Sequence, residues 1–309
     1  MLEAPQQLKG RDFTRVGAWQ AEEILGVLDL ADELKERHRR REDHALLPGR
    51  ALGMIFQKPS TRTRVSFEVG ISQLGGFGLY LRADDLQLGR GETIRDTATV
   101  LSRYLDCIVI RTFAQDDVEE LAEHASIPVI NGLTDATHPC QALADVMTIR
   151  ERLGRLDGVR VTYLGHGNNV CVSLMTAAAK LGMHFVAATP PGYEPPAEAV
   201  DAVRGEPGSV ELVADPREAA RDADVLYTDV WTSMGQEEER ERRLRDLAGY
   251  QIDSDLLRAT DEGIVLHCLP AHYDEEITEE VLYGPQSAVW DQSENKLHSV
   301  KALMVLIVP

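Results

Sequence analysis

The sequence predicts an α/β protein of two domains, each an open, mainly parallel sheet flanked by helices. Three observations predict it. Apolar runs of strand length recur along the chain, and most are followed by turn or polar residues and then by helical periodicity. Many of these runs are apolar at successive positions, as strands covered by helices on both faces must be. The 309 residues make two domains at the usual size of roughly 100 to 200 residues each.

The strand runs are Leu52 to Phe56, Cys107 to Ile110, Pro128 to Ile130, Val159 to Leu164, His184 to Ala188, Val225 to Tyr227, Ile264 to Leu266 and Ala288 to Trp290. A helix with Phe67, Ile71 and Leu74 on one face follows the first run and stops at Gly75-Gly76. After Val159 to Leu164 and a glycine turn, Cys171, Leu174, Met175, Ala178 and Leu181 recur at three- and four-residue steps, with Gly182 at the C-cap position. The pattern from Pro139 to about Leu153 predicts a helix between the halves, and a last helix is expected from about Ser293 to Val305. The expected domains are residues 1–137, a connecting helix 138–154, a second domain 155–290, and a terminal helix 291–309 that returns to the first. No fixed-period repeat or low-complexity stretch interrupts this plan.

Composition excludes several classes of function. Lys+Arg number 32 and Asp+Glu 51, a formal charge of −19, which opposes binding to nucleic acid. No apolar run approaches the ~20 residues of a membrane span, and the first residues lack a signal-peptide core, so a soluble, cytoplasmic protein is expected. Cys107, Cys140, Cys171 and Cys268 have neither zinc-ligand nor disulfide-framework spacing. Six lysines against 26 arginines, with the acid excess, point to a high-salt cytoplasm, where salt screens the self-repulsion of a carboxylate-rich surface.

In an open parallel sheet, ligands sit beyond the carboxyl ends of the strands. Ser60-Thr61-Arg62-Thr63-Arg64 follows the first run, Arg111 the second, and His138-Pro139-Cys140-Gln141 the loop after the third. Hydroxyls and N–H groups at a helix start, with a guanidinium from Arg62 or Arg64 and a second from Arg111, make a phosphate site. His138 and Gln141 lie three apart and share a helix face, where both can reach one ligand oxygen. In the second half the strands lead to Gly165-His166-Gly167-Asn168-Asn169, to Asp229, and to His267-Cys268-Leu269-Pro270. Asn168 and Asn169 are either turn residues or amides that orient a ligand; Cys268 is either inert packing or an activated thiol. Gly165-x-Gly167 lacks the third glycine and the acidic partner of a dinucleotide site, and no phosphate-loop string occurs. The run Glu237 to Arg243 is expected to be a solvated helix face with charge pairs.

Four strings in order, Ser60-Thr61-Arg62-Thr63-Arg64, His138-Pro139-Cys140-Gln141, Asp229-Val230-Trp231-Thr232-Ser233-Met234-Gly235 and His267-Cys268-Leu269-Pro270, resemble the aspartate/ornithine carbamoyltransferases, the last two the ornithine branch. The resemblance spans nearly the whole chain. It implies transfer of a carbamoyl group from carbamoyl phosphate to the δ-amine of L-ornithine, giving citrulline, with no cofactor and no metal. By the same resemblance Ser60, Thr61, Arg62 and Thr63 hold the phosphate with Arg111, and His138 and Gln141 sit at the carbamoyl end. Gln87 matches a position that reaches an adjacent subunit's site, so a homotrimer or an assembly of trimers is implied. Asn169, Asp229, Ser233 and Met234 match ornithine-binding positions, and Cys268 with Leu269 the pair that touches both substrates. Arg62, His138 and Cys268 are the implied catalytic residues, in one pocket where the halves meet, with the Ser233-Met234-Gly235 loop suited to closing over it.

This chain departs from the family at three positions. Lys296 stands where an arginine is usual, keeping the charge at the carbamoyl oxygen but losing the fork. His166 stands where an acidic residue is common, and Tyr273 where the family is variable and often basic. Putrescine is the rival acceptor; it lacks the carboxylate that a Ser-Met-Gly element serves. Two rival functions are a carbamoyl phosphate-binding paralogue without turnover and a nicotinamide oxidoreductase on a similar frame. The intact Asp229, Cys268 and His138 oppose the former, and the incomplete glycine pattern the latter.

Overall fold

A computed structural model describes residues 8–82, 86, 91–232 and 237–309. The chain divides into two units, Met1–Ala144 with Glu294–Pro309, and Asp145–Ser293.

In the first unit, α1 (Ala21–Arg39) precedes β1 (Ala51–Phe56), α2 (Thr61–Gln73), β2 (Phe77–Arg82), α3 (Ile94–Leu101), β3 (Cys107–Arg111), α4 (Gln115–His124) and β4 (Val129–Leu133). The four strands form one parallel sheet in the order β2-β1-β3-β4, with Leu52 opposite Cys107 and Ala51 opposite Phe77. Every residue of β1 and β3 is buried, as central strands between helix layers must be. Ile55, Ile108, Ile110, Val118, Leu121 and Val129 pack into one core.

After α5 (Pro139–Leu153) the second unit runs through β5 (Arg160–Leu164), α6 (Asn169–Lys180), β6 (His184–Ala188), α7 (Ala197–Ala202), β7 (Ser209–Val213), α8 (Pro216–Ala220) and β8 (Val225–Thr228). It continues through α9 (Arg240–Leu247), α10 (Ser254–Leu257), β9 (Ile264–His267) and α11 (Glu279–Leu282). Its five strands are parallel in the order β7-β6-β5-β8-β9. Leu164, Val186, Leu226, Trp231, Val265 and Ile277 belong to its core. The boundary between units falls inside α5 and again inside the terminal helix α12 (Val289–Ile307). In the first unit Lys9 Nζ donates to Val305 O at 3.0 Å and to Val308 O, closing the carbonyl end of α12.

One expected strand is corrected. Ala288 to Trp290 is no strand: α12 begins at Val289, so the terminal helix is one turn longer than its periodicity implied, and beside it Ser287 makes an isolated bridge to Val265. Two strands, β2 and β7, are not among the apolar runs of the sequence. Both lie at sheet edges and are largely half-exposed, with burial patterns that break the run of apolar residues.

A glycine shapes the β5–α6 connection. A Cβ on Gly167 would lie 2.2 Å from Pro195 N and 2.6 Å from Glu194 C, both unyielding backbone, whereas one on Gly26 in α1 would meet nothing within 4 Å. Gly167→Ala should therefore lose about 1–3 kcal/mol from overpacking, while Gly26→Ala should gain about 0.5–1 kcal/mol from helix propensity. Urea midpoints for the two variants are expected to move in opposite directions; a shared direction would contradict the packing at Gly167.

Candidate functional site

Parallel pairing sends the C-terminal ends of each unit's strands to one edge, and the polar residues gather there. In the first unit Ser60 is the N-cap of α2, in extended backbone, its Oγ accepting from Thr63 N at 3.2 Å. Thr61 is exposed, Arg62 half-buried and Thr63 buried. Arg64 turns away: its Nε reaches Glu68 Oε2 at 3.2 Å and its guanidinium lies 3.8 Å from the centroid of Tyr80. Of the two guanidiniums weighed from the sequence, Arg62 is therefore the one on the inner side.

Arg111 ends β3 and is buried. His138 begins the helical stretch of α5 and is held through a buried network on its loop. Asn131 Nδ2 donates to Thr14 O and Thr137 Oγ1, both at 3.0 Å, and Gln115 Oε1 accepts from Thr134 and Thr137 hydroxyls, both at 2.8 Å. Lys296 Nζ, buried on α12, donates to Gln141 Oε1 at 3.0 Å and lies 3.4 Å from His138 Nε2. An ammonium only donates, so His138 Nε2 is the acceptor and the imidazole is neutral. Burial, then Lys296, Arg111 and Arg62, hold its pKa well below 6.5. One buried histidine thus feels three cations, the electrostatics of an anion site.

The second unit has the opposite sign. Asp229 follows β8, buried, and accepts from Cys268 Sγ at Oδ1 (2.9 Å) and from Asn168 Nδ2 at Oδ2 (2.7 Å). Asn168 caps α6, its Oδ1 accepting from Val170 N at 3.0 Å, Cys171 N at 3.1 Å and the Tyr163 hydroxyl at 3.0 Å. Burial, then Asp229, keeps the Tyr163 phenol protonated, its pKa far above 10. Asn168 is therefore both a cap and an orienting amide, and Asn169 is the first residue of α6.

Cys268 and Leu269 follow β9. Leu269 has φ 58, left-handed for a branched residue, which costs roughly 1–2 kcal/mol. Its N–H donates to His267 Nδ1 at 2.8 Å, while His267 Nε2 pairs with the fully buried Glu276 at 3.0 Å. The backbone N–H of His267 donates to Gln292 Oε1 at 2.9 Å, and Gln292 Nε2 to Asp145 Oδ1 at 2.6 Å. Glu276, His267 and Gln292 thereby aim Cys268 at Asp229. Asp229, His267 and Cys268 also come close enough to surround an ion, but both ring nitrogens of His267 are engaged, so its imidazole has no lone pair to give.

Sequence reasoning missed Glu276, Gln292, Asn131 and Tyr163. Asn131 alone left a signal there, a polar residue inside an apolar strand. The solvated reading of Glu237 to Arg243 is corrected at Arg243, which is buried and donates to Trp231 O at 3.3 Å and to His166 Nδ1 at 3.2 Å. Glu239 pairs with Arg242 and Arg243, both at 2.9 Å, as charge pairing requires. Gln87, Ser233 and Met234 lie outside the described residues.

The first unit thus gathers cations beside a helix N-terminus, and the second, another parallel α/β unit, holds a carboxylate hydrogen-bonded to a thiol; the comparisons make this pair of units a two-domain carbamoyltransferase. Residues 11–151 match the profile of the aspartate/ornithine carbamoyltransferase carbamoyl-P binding domain, and residues 157–307 that of the Asp/Orn binding domain. An ornithine carbamoyltransferase of Oceanobacillus iheyensis is 55% identical over 308 residues, 98% of this chain and 96% of the relative. An "Ornithine carbamoyltransferase, anabolic" of Pyrococcus furiosus is 53% identical over 308 residues, 97% of each. A solved structure of ornithine carbamoyltransferase from Pyrococcus furiosus superposes with a TM-score of 0.95 at 52% identity, covering 97% of this chain and 98% of that one. The chain belongs to the aspartate/ornithine carbamoyltransferase family.

The neutral histidines have a consequence for stability. Burial and then Arg243 lower His166 from 6.5 to about 4, and burial and then Lys301 lower His298 on α12 to about 3. Unfolded, each binds its proton near pH 6.5, so this stability is fully present above that pH and is lost as pH falls toward 4 and below. Urea midpoints should fall between pH 7 and 4.5, with a shallower slope in His166→Gln. An identical slope in that variant would contradict the assignment.

Proposed function

We infer that this chain is an ornithine carbamoyltransferase, making L-citrulline and phosphate from carbamoyl phosphate and L-ornithine. The observation that supports this most is Asp229 held between Cys268 Sγ and Asn168 Nδ2, in a chain whose two halves match the two domains of the family. No cofactor or metal enters the reaction.

The roles follow from charge. Ser60, Thr61 and Thr63, the N–H groups opening α2, and the guanidiniums of Arg62 and Arg111 hold the phosphate. Gln87 completes this set from a neighbouring subunit. His138, Gln141, Arg62 and Lys296 attend the carbamoyl group, with Cys268 and Leu269 beside it. The δ-nitrogen attacks the carbamoyl carbon, a C–N bond forms, the C–O bond to phosphate breaks, and negative charge grows on the carbamoyl oxygen. Cations gathered around His138 stabilise that charge in the transition state.

An amine with a pKa near ~10.4 must lose a proton to attack. Cys268 and Asp229 position the amine, and the carboxylate of Asp229 takes that proton. Asp229 pairs with the α-amine as well, and Asn169 with Ser233 and Met234 binds the amino-acid end. A dicarboxylate acceptor would want further cations after β9, where Cys268-Leu269-Pro270-Ala271 has none.

The anabolic name of the Pyrococcus furiosus relative supports a place in arginine biosynthesis. The chain forms a homotrimer; exposed Val65, Val69, Phe77 and Leu79 in the first unit supply apolar surface for a second copy. The described residues contain no helix long and apolar enough to cross a membrane, and the protein works in the cytoplasm of a cell with high internal salt.

Purified protein given carbamoyl phosphate with ornithine, putrescine or aspartate, from low to molar salt, is expected to make citrulline from ornithine alone. Carbamoylputrescine or carbamoylaspartate without citrulline would overturn the reading. Cys268→Ala should lower kcat on the order of 10²-fold; a wild-type rate would remove Cys268 from the chemistry. Desalting is expected to collapse the far-ultraviolet circular dichroism, and an unchanged spectrum would argue against the salt requirement.

A further inference from the structure

A second convergent group stands on the segment between β9 and α11, apart from the residues given roles in carbamoyl transfer save one. His272 Nδ1 lies 3.8 Å from Glu275 Oε2 and 3.8 Å from Glu276 Oε2. The ligand atoms of these three residues all fall within 4.8 Å of one another. The Oε2 atoms of both glutamates are buried and accept no hydrogen bond from the described residues.

The partners of the other two oxygens explain why these face inward. Glu276, 0% exposed, uses Oε1 to accept from His267 Nε2 at 3.0 Å and from the backbone N–H of His272 at 2.6 Å. Glu275 Oε1 is paired with Arg240. What remains is two buried oxygens beside one imidazole nitrogen, with no hydrogen-bond donor to them among the described residues. Buried carboxylate oxygens that have left water need a cation or a donor to replace it.

We propose that His272, Glu275 and Glu276 bind a divalent transition-metal cation such as zinc. One imidazole nitrogen and two carboxylate oxygens form a borderline donor set, suited to zinc, cobalt(II) or manganese(II). Ligand atoms on a tetrahedral zinc stand roughly 3.3 Å apart, so the observed 3.8 Å asks for a small inward movement. The His272 side chain, 45% exposed, is free to make it, and its open side admits water as the fourth ligand. The cluster of Asp229, His267 and Cys268 differs in both respects: its histidine is fully engaged, and its third group is a thiol.

The location gives the ion a reach beyond its own ligands. Glu276 joins the cation to His267, and His267 fixes the Leu269 N–H beside Cys268. A bound cation would fix the carboxylate that orients this loop and raise its stability through mass action on the folded state.

The test is a cobalt(II) titration of the full-length protein after chelator treatment, read by visible absorption and thermal unfolding. Wild type should take one equivalent, show weak nitrogen/oxygen-type bands without a thiolate charge-transfer band, and melt about 2 °C or more higher. Cys268→Ser should bind identically, whereas His272→Ala and Glu275→Gln should bind at least about 10-fold more weakly. Three results would overturn the site: no cobalt binding by wild type, undiminished binding in His272→Ala, or a thiolate band that disappears in Cys268→Ser. The third would place the ion on Asp229 and Cys268. Cobalt binding is read whether or not the chain makes citrulline, so either conclusion can fail without the other.

Discussion

Every strand pairing in both sheets is parallel, and that single constraint places the chemistry. A parallel strand must be followed by a crossover before its neighbour begins. Each unit therefore has one edge where strands end and loops start, and polar side chains that would be intolerable inside the sheet collect there. Arg111, Asp229 and His267 all stand at such ends, at or just beyond the last residue of a strand that is otherwise apolar.

What the two edges collect differs in sign. In the first unit, buried cations crowd a histidine until it is kept neutral. In the second, a buried carboxylate is stabilised by two donors rather than by a countercharge, the thiol of Cys268 and the amide of Asn168. The first arrangement is matched to an anion arriving from solvent, and the second to an ammonium. Neither carries much net stability of its own, since buried polar groups recover little more than their lost hydration. Their value lies in fixed orientation, and supporting residues such as Gln115, Asn131, Tyr163 and Glu276 supply it.

Local chemistry made much of this legible from the residues alone. Pro139 to Leu153 and His184 to Ala188 end where their periodicity and flanking turn residues say, and Ser60 caps α2 as an extended serine before a helix should. Legibility failed where the deciding partner lay elsewhere in the chain. Ala288 to Trp290 has the apolar look of a strand, yet it opens a helix because the residues beyond it continue the helical face. Arg243 sits in a charge run that reads as solvated, and only the fold brings it onto His166 and Trp231. Glu276 pairs with a histidine nine positions earlier across an irregular segment, a separation with no periodic meaning. The four strings that resemble the carbamoyltransferases contain Asp229, His267 and Cys268 but not Glu276, Gln292 or Tyr163, which bond to them or to Asn168.

Asn168 shows how narrow such a position is. Its carbonyl oxygen takes three donors while its NH2 faces the carboxylate of Asp229 at 2.7 Å. An aspartate has the same shape and would still satisfy the first half of that arrangement, but its second oxygen would meet Asp229 as one anion meets another. Exchange of this one amide for a carboxylate would turn an attraction into a repulsion. One nitrogen where an oxygen would otherwise stand thus decides whether the carboxylate of Asp229 meets a donor or a like charge.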